Sequence, residues 1–159
     1  MKTLSTLIIS IAVLVLLFAS NCEKIVIDKK YPLTLKNLGS KPIGYYFATG
    51  GKYGTLYPDT TLPIRSDYLG IKLESNKIFS YDSSTSWDTN YKAFPRDTLS
   101  IFIFETDTLL KYPWQVIRQK YKILKRYDLS LQDLKKLNYS ITYPAGTIMK
   151  EIKMYPAYP

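Results

Sequence analysis

The sequence predicts a small, mainly β domain of the α+β class, largely antiparallel and sandwich-like, with an N-terminal signal helix and two short late helices. Short segments of alternating apolar and polar residues recur between turn residues from residue 33 onward, which is typical of half-buried strands. Residues 99–104 are apolar on both faces, as in a central strand. Apolar residues at helical spacing first occur in the segment that begins at Pro113. An alternative is an α+β domain in which the late strands and helices build a mixed sheet.

Residues 1–21 have the layout of an export signal. A short basic start precedes an apolar run over residues 7–18, and two small residues follow that run. The run is too short for a spanning helix and has the flanks of a secretory signal. Cys22, the only cysteine, comes next. The stretch 17–22 resembles a bacterial lipoprotein signal, in which the cysteine thiol is acylated and becomes the mature N-terminus.

We therefore predict lipid attachment at Cys22, a tether over residues 22–30 and one globular domain over residues 31–159. Each buried acyl methylene contributes about 0.8 kcal/mol, so two or three long chains such as palmitate hold a domain on a membrane. The predicted location is the cell envelope, at the outer membrane, on its periplasmic or its surface face. Asn21 departs from the small residue usual before such a cysteine. A plain secretory signal or an uncleaved anchor are the alternatives.

The amino-acid composition excludes several kinds of catalytic and metal-binding chemistry. The chain has no histidine, which removes the commonest general base and metal ligand. With Cys22 assigned to lipid, thiolate chemistry and cysteine-type zinc sites are removed as well. We predict a protein that is not an enzyme and needs neither cofactor nor metal. The formal charge of +9 would suit nucleic acid or an acidic surface, but the lysines are dispersed and exported proteins rarely meet nucleic acid. We predict no nucleic-acid partner.

The predicted strands follow from alternation. Residues 33–37 and 43–48 flank a Gly/Pro turn and predict an antiparallel hairpin. Residues 99–104 are the predicted central strand. Further strands are predicted at residues 68–74, 77–81, 122–127 and 139–143. The Ser-rich segment 82–90 is polar apart from Trp87 and predicts an exposed loop that bears one large aromatic side chain.

Two helices are predicted late in the chain. Pro113 can open the first, over residues 113–120, because its missing N–H costs nothing at that position. Ser130 and Asp133 have the spacing of a capping box and predict the start of the second helix. Two lysines follow where the negative end of the helix dipole favours them. We expect one further helical turn near Ile148.

Loop aromatics are the candidate ligand-binding residues. The CH-rich faces of sugars stack on such rings, so these residues would form a glycan-binding platform. The alternative is that they cap the edge of the core. Six of the nine prolines also follow a tyrosine, and such corners would form either a recognition surface or rigid loop ends. The candidates are Trp87, Tyr91, Tyr53 and Tyr57.

Glu105 and Asp107 lie two residues apart at the end of the predicted central strand. On one face of that strand they would form a carboxylate pair able to bind Ca²⁺ or to act in acid–base catalysis. The alternative is an ordinary acidic strand end, since no glycine-centred ligand loop accompanies them. We favour that alternative and assign no catalytic residue.

Several blocks of the chain together resemble a set of small uncharacterised lipoproteins of Bacteroidota. The match extends over most of residues 33–156 and is carried by residues 97–104, 112–114, 124–134, 149–150 and 153–156. The resemblance implies export and membrane anchoring, and it brings no activity. We expect a non-enzymatic envelope lipoprotein with a binding or structural accessory role, whose partner is a glycan or an envelope protein. A surface glycan-binding module is the alternative, and an enzyme using carboxylates comes third.

Three short segments resemble the Asp-Thr-apolar acceptor sequence for O-glycosylation of exported proteins in Bacteroidota. They are Asp59-Thr60-Thr61, Asp97-Thr98-Leu99 and Asp107-Thr108-Leu109. Thr60 lies in a long Gly/Pro loop and is the best candidate of the three. Thr98 opens a strand that we expect to be buried, which argues against modification there.

Overall fold

The computed structural model describes residues 29–52, 54–67 and 69–159. Within these residues the fold is mainly β with short helices, as the sequence predicts. The elements in chain order are β1 (Tyr31–Asn37), β2 (Ile43–Ala48), β3 (Gly70–Leu73), β4 (Ile78–Ser83), α1 (Trp87–Ala93), β5 (Thr98–Glu105), α2 (Thr106–Lys111), α3 (Trp114–Gln119), β6 (Lys125–Ser130), α4 (Leu131–Lys136), β7 (Ser140–Tyr143), a 3-10 turn (Thr147–Met149) and β8 (Lys153–Tyr155).

The strands form two sheets. The larger sheet has the order β3-β2-β5-β6-β8, and all of its neighbouring strands are antiparallel. The smaller sheet has the order β4-β1-β7, with β1 antiparallel to β4 and parallel to β7. This smaller sheet is mixed, but it is not the mixed sheet of the alternative prediction, because β7 is its only late strand and the late strands β6 and β8 lie in the antiparallel sheet.

Strand β5 lies at the centre of the larger sheet and is buried on both faces, which confirms its prediction. Leu99, Ile101 and Ile103 pack in a core cluster that also contains side chains of β1 and β7 from the smaller sheet. Phe102 and Phe104 point the other way, into a second cluster with the α3 side chains. All five are fully buried, and burying one such side chain contributes about 1.5–3 kcal/mol.

The predicted hairpin of β1 and β2 is wrong, because the two strands lie in different sheets. Asn37, at the end of β1, is fully buried. Its side-chain amide donates hydrogen bonds to the carbonyls of Lys41 (2.8 Å) and Leu73 (3.0 Å), and its Oδ1 accepts one from the Gly39 N–H (2.9 Å). These bonds stabilise a turn that takes the chain from the smaller sheet to the larger sheet. Both polar atoms of the buried Asn37 amide are hydrogen-bonded.

Residues 82–90 do not form the predicted exposed loop. Ser86 caps α1, and its hydroxyl oxygen accepts a hydrogen bond from the Thr89 N–H. Helix α2 was also not predicted, and it follows β5 without a loop. The missed signal for α1 is a serine cap followed by Trp87 and Tyr91 four residues apart, a spacing that places both rings on one helix face.

The elements late in the chain agree more closely with the sequence predictions. The Ser130 capping box is confirmed: the Ser130 oxygen accepts from the Asp133 N–H (3.1 Å), and Asp133 Oδ2 accepts from the Ser130 N–H (2.9 Å). The turn near Ile148 is also confirmed. Strand β6 starts at Lys125 rather than at residue 122, and β8 was not predicted. The predicted signal, Cys22 and most of the tether lie outside the described residues. In the part of the chain that is described, no helix has the length and apolar character needed to cross a membrane.

Candidate functional site

Seven aromatic rings form a continuous series of contacts. Neighbouring ring centroids lie between 4.5 and 6.4 Å apart, which is the range of favourable ring pairs. The series runs in the order Tyr45, Phe79, Phe47, Tyr81, Trp87, Tyr91 and Phe94. Within the series Trp87 and Tyr91 are buried, whereas Tyr45, Phe79 and Tyr81 are half-buried.

Trp87 and Tyr91 are buried, with 3% and 2% of their surfaces exposed. The Trp87 Nε1–H donates to the Tyr31 carbonyl (3.1 Å), and the Tyr91 hydroxyl donates to the Leu129 carbonyl (2.8 Å). Burial also raises the pKa of Tyr91 above its ordinary value. The prediction that these two rings form an exposed glycan platform is therefore wrong, because α1 directs both of them into the core.

The other end of the series lines an open groove of about 470 Å³. Side chains of both sheets contribute to it, from β2 on one side and from β4 on the other. We call this the aromatic groove, and its lining residues are Tyr45, Tyr46, Phe47, Thr49, Gly50, Asp67, Leu69, Gly70, Phe79 and Tyr81. Tyr45, Phe79 and Tyr81 are half-buried, so each keeps part of its ring accessible.

Strand pairing and alternation position these rings. Tyr45 of β2 lies opposite Gly70 of β3, and a Cβ on Gly70 would lie 2.0 Å from the Tyr45 Cζ. The Tyr45 ring therefore lies across the glycine, where no other residue would leave room for it. On β4, Phe79 and Tyr81 share one face. That spacing is the sequence signal that could have identified the groove.

The groove also offers polar groups. The hydroxyls of Tyr45 and Tyr81 form no hydrogen bond to another residue that the structure describes, and a phenol can both donate and accept. Burial raises the pKa of Tyr45, so this hydroxyl stays protonated at neutral pH. Asp67 contributes the one carboxylate of the lining, and it forms an ion pair with Arg65. Accessible ring faces beside unengaged hydroxyls suit an uncharged, hydroxyl-rich ligand.

The remaining predicted aromatics do not join this groove as a platform. Tyr53 lies outside the described residues. Tyr57 lies near β8, where its hydroxyl accepts a hydrogen bond from Lys153 Nζ (2.7 Å) and its ring contacts the same ammonium group. The structure therefore separates Tyr57 from Trp87 and Tyr91. Among the Tyr-Pro corners, the bonds 57–58, 143–144 and 155–156 are cis.

The three candidate acceptor threonines occupy different settings. Thr60 is half-buried in the long loop before β3. Thr98 opens β5, and its hydroxyl donates to the Arg96 carbonyl (2.8 Å). Thr108 is in α2, and its hydroxyl donates to Glu105 Oε2 (3.1 Å). O-glycosylation at these residues stays a prediction.

Glu105 and Asp107 do not share a strand face, because β5 ends at Glu105 and Asp107 belongs to α2. The Glu105 carboxylate instead accepts from Thr108 and lies 3.7 Å from Lys41 Nζ. The carboxylate-pair interpretation is therefore wrong. Within the described ranges, no group of three or more potential ligands is arranged to hold a metal ion.

A polar cluster on the outer face of the larger sheet was not predicted. Asp128 is 3% exposed and accepts hydrogen bonds from the Ser100 hydroxyl (2.7 Å) and from two nitrogens of Arg126 (3.0 Å each). Arg126 also donates to the Tyr121 hydroxyl (2.7 Å). A buried carboxylate whose oxygens are hydrogen-bonded in this way is primarily structural. The sequence signal for the cluster was the placement of the polar residues Arg126 and Asp128 two apart on β6, which puts them on one face of the strand.

Comparison with known proteins adds no assignment to this geometry. No protein-family model matches the chain, and neither the curated proteins nor the solved structures give a match.

Proposed function

We propose that this protein is a non-enzymatic lipoprotein of the cell envelope, held on a membrane through Cys22, that binds a glycan in the aromatic groove. The observation that carries the ligand class is the set of half-buried rings at the open end of the aromatic series. The lipoprotein-like signal before Cys22 supports the anchor and the location at the outer membrane, on its periplasmic or surface face.

A glycan suits the groove for three physical reasons. Tyr45, Phe79 and Tyr81 present ring surface against which the CH face of a sugar can pack. Two of these residues carry hydroxyls that bond to no described residue and can therefore bond to sugar hydroxyls. The volume of about 470 Å³ lies within the range of small-ligand sites. The groove is also open, which suits a segment of a polymer.

The ligand proposal is tested by calorimetric titration of the mature protein, in nonionic detergent, with neutral hexasaccharides of glucose, xylose and mannose. We expect one of them to bind, and Tyr81→Ala to weaken that binding roughly tenfold because a stacking surface is lost. Tyr155→Ala is the matched control, since Tyr155 is an exposed tyrosine on β8 at the opposite edge of the larger sheet. Equal losses in the two variants, or no binding of any hexasaccharide, would overturn the ligand proposal.

The anchor is tested separately, by mass spectrometry of protein from the membrane fraction. We expect a diacylglyceryl group on Cys22 and release of the Cys22→Ala variant from the membrane. Surface protease treatment of intact cells then distinguishes the surface face from the periplasmic face. A mature N-terminus near Ser20 without lipid would contradict the anchor and leave the groove proposal unaffected.

A further inference from the structure

A second cavity, of about 390 Å³, lies between the long loop and α3, away from the aromatic groove. Its lining consists of one arginine, three hydroxyl-bearing residues, one amide and one leucine. We call it the basic pocket, and its residues are Thr60, Thr61, Leu62, Arg118, Gln119 and Tyr121. We propose that the basic pocket binds an oxyanion, a phosphate or carboxylate group carried on a hydroxylated body of about monosaccharide size.

Arg118 supplies the positive charge. Its Nε–H donates to the Leu62 carbonyl (3.1 Å), which leaves the terminal guanidinium nitrogens to bind a ligand. No carboxylate among the described residues forms an ion pair with Arg118. Asp59, in the adjoining loop, instead accepts a hydrogen bond from the Thr61 N–H (2.8 Å). A half-buried guanidinium without a counter-ion favours an oxyanion, which it can bind through two parallel hydrogen bonds.

Tyr121 adds a directed donor. Its hydroxyl oxygen accepts a hydrogen bond from Arg126 (2.7 Å), so the phenolic proton is free to point at a ligand. The charge of Arg126 is balanced by Asp128, and this pair orients Tyr121 without competing for the ligand. Tyr121 also has a φ of 46°, an uncommon conformation for an aromatic residue that persists where the surroundings enforce it, often at functional sites.

Hydrogen bonds within the protein position the residues that line the basic pocket without the help of a ligand. Two α3 side chains hold the loop: Arg118 bonds to the Leu62 carbonyl, and the Trp114 Nε1–H donates to the Pro63 carbonyl (3.0 Å). Leu62 itself is buried, with 2% of its surface exposed. A site whose groups are already held in place loses less entropy on binding. The threonine hydroxyls on the loop are then positioned to meet hydroxyls of the ligand body.

The proposal is tested with glucose 6-phosphate, glucuronate and glucose as probes, because the three share a body and differ in the anionic group. NMR of the full mature protein in nonionic detergent follows the Thr61 and Tyr121 amides. We expect both anions to shift these amides and glucose to shift neither at about 10 mM. Whichever anion binds more tightly identifies the oxyanion class. Glucose binding as tightly as its anions, or no shift with either anion, would overturn the proposal.

Two substitutions of Arg118 distinguish anion binding in the basic pocket from non-specific attraction by the positive charge of the protein. Arg118→Gln should weaken anion binding at least tenfold, and Arg118→Lys should give an intermediate loss because it keeps the charge without the planar fork. Arg96→Gln is the matched control, since Arg96 is exposed and lies before β5. Equal weakening in the two glutamine variants refutes the site. If Arg118→Gln alters the fold, Tyr121→Phe decides, with retained full affinity counting against the proposal.

Discussion

The two ends of the aromatic series are built from the same residue types but have different surroundings. In one part of the series α1 directs its own residues Trp87 and Tyr91 into the core, and each side chain donates a hydrogen bond to a backbone carbonyl. At the other end Tyr45 lies beside the edge strand β3 and Tyr81 belongs to the edge strand β4, and their hydroxyls bond to no residue that the structure describes. Aromatic richness alone therefore does not identify a binding surface. The element that carries a ring distinguishes the two groups, since the core rings Trp87 and Tyr91 belong to α1 and the accessible rings belong to β2 and β4.

The largest expected effect is that of Trp87→Ala. This substitution removes a buried ring and its hydrogen bond, so we expect the free energy of unfolding to fall by about 3–5 kcal/mol. Tyr81→Ala, at the open end, should cost less than half as much, because part of the Tyr81 ring is exposed already. Urea denaturation measures both values. Equal losses would show that the groove rings are core residues, and the contrast between the two ends would fail.

Gly70→Ala tests the shape of the open end. The added Cβ would lie 2.0 Å from the Tyr45 Cζ, so the ring must move, and we expect a loss of about 1–3 kcal/mol in unfolding free energy. Hexasaccharide binding should be lost with it. The matched control is Gly146→Ala, whose Cβ would meet only Thr142 Oγ1, at 3.6 Å. If both variants keep wild-type stability and binding, Tyr45 does not depend on Gly70.

Features that depend on neighbouring residues were predictable, and those that depend on distant partners were not. The Ser130 capping box and the two apolar faces of residues 99–104 are complete within a few residues, so the sequence indicated both. The hairpin prediction failed because Asn37 bonds to the Leu73 carbonyl, 36 residues away. The Trp87 prediction failed for the same reason, since its partner carbonyl on Tyr31 is 56 residues away. Likewise, Arg118 contacts Leu62 across 56 residues, so the basic pocket has no local signature.

Alkaline pH should destabilise the protein through two buried tyrosines, Tyr91 of the aromatic series and Tyr127 of β6. Burial raises the pKa values of Tyr91 and Tyr127 above the ordinary value of 10.0. Above about pH 10 these groups ionise in the unfolded chain while the folded protein keeps their protons, so the unfolding free energy falls as the pH rises. Each such group lowers it by about 1.4 kcal/mol per pH unit in that range. Urea midpoints measured between about pH 8 and about pH 11 should fall, and less steeply in Tyr91→Phe. An unchanged slope in that variant would place the ionisation elsewhere.

The smallest effects come from removing single hydroxyls near neutral pH, and they compare the two ends most directly. Tyr91→Phe leaves the Leu129 carbonyl without its side-chain partner inside the core, so we expect a loss of about 1 kcal/mol in unfolding free energy. Tyr81→Phe removes a hydroxyl that bonds to no described residue, so its unfolding free energy should stay within about 0.5 kcal/mol of wild type. Its glycan affinity should fall severalfold, because the same hydroxyl is the one left for a ligand. A Tyr81→Phe variant that loses stability but keeps its affinity would reverse this assignment, since the hydroxyl would then support the fold rather than the ligand.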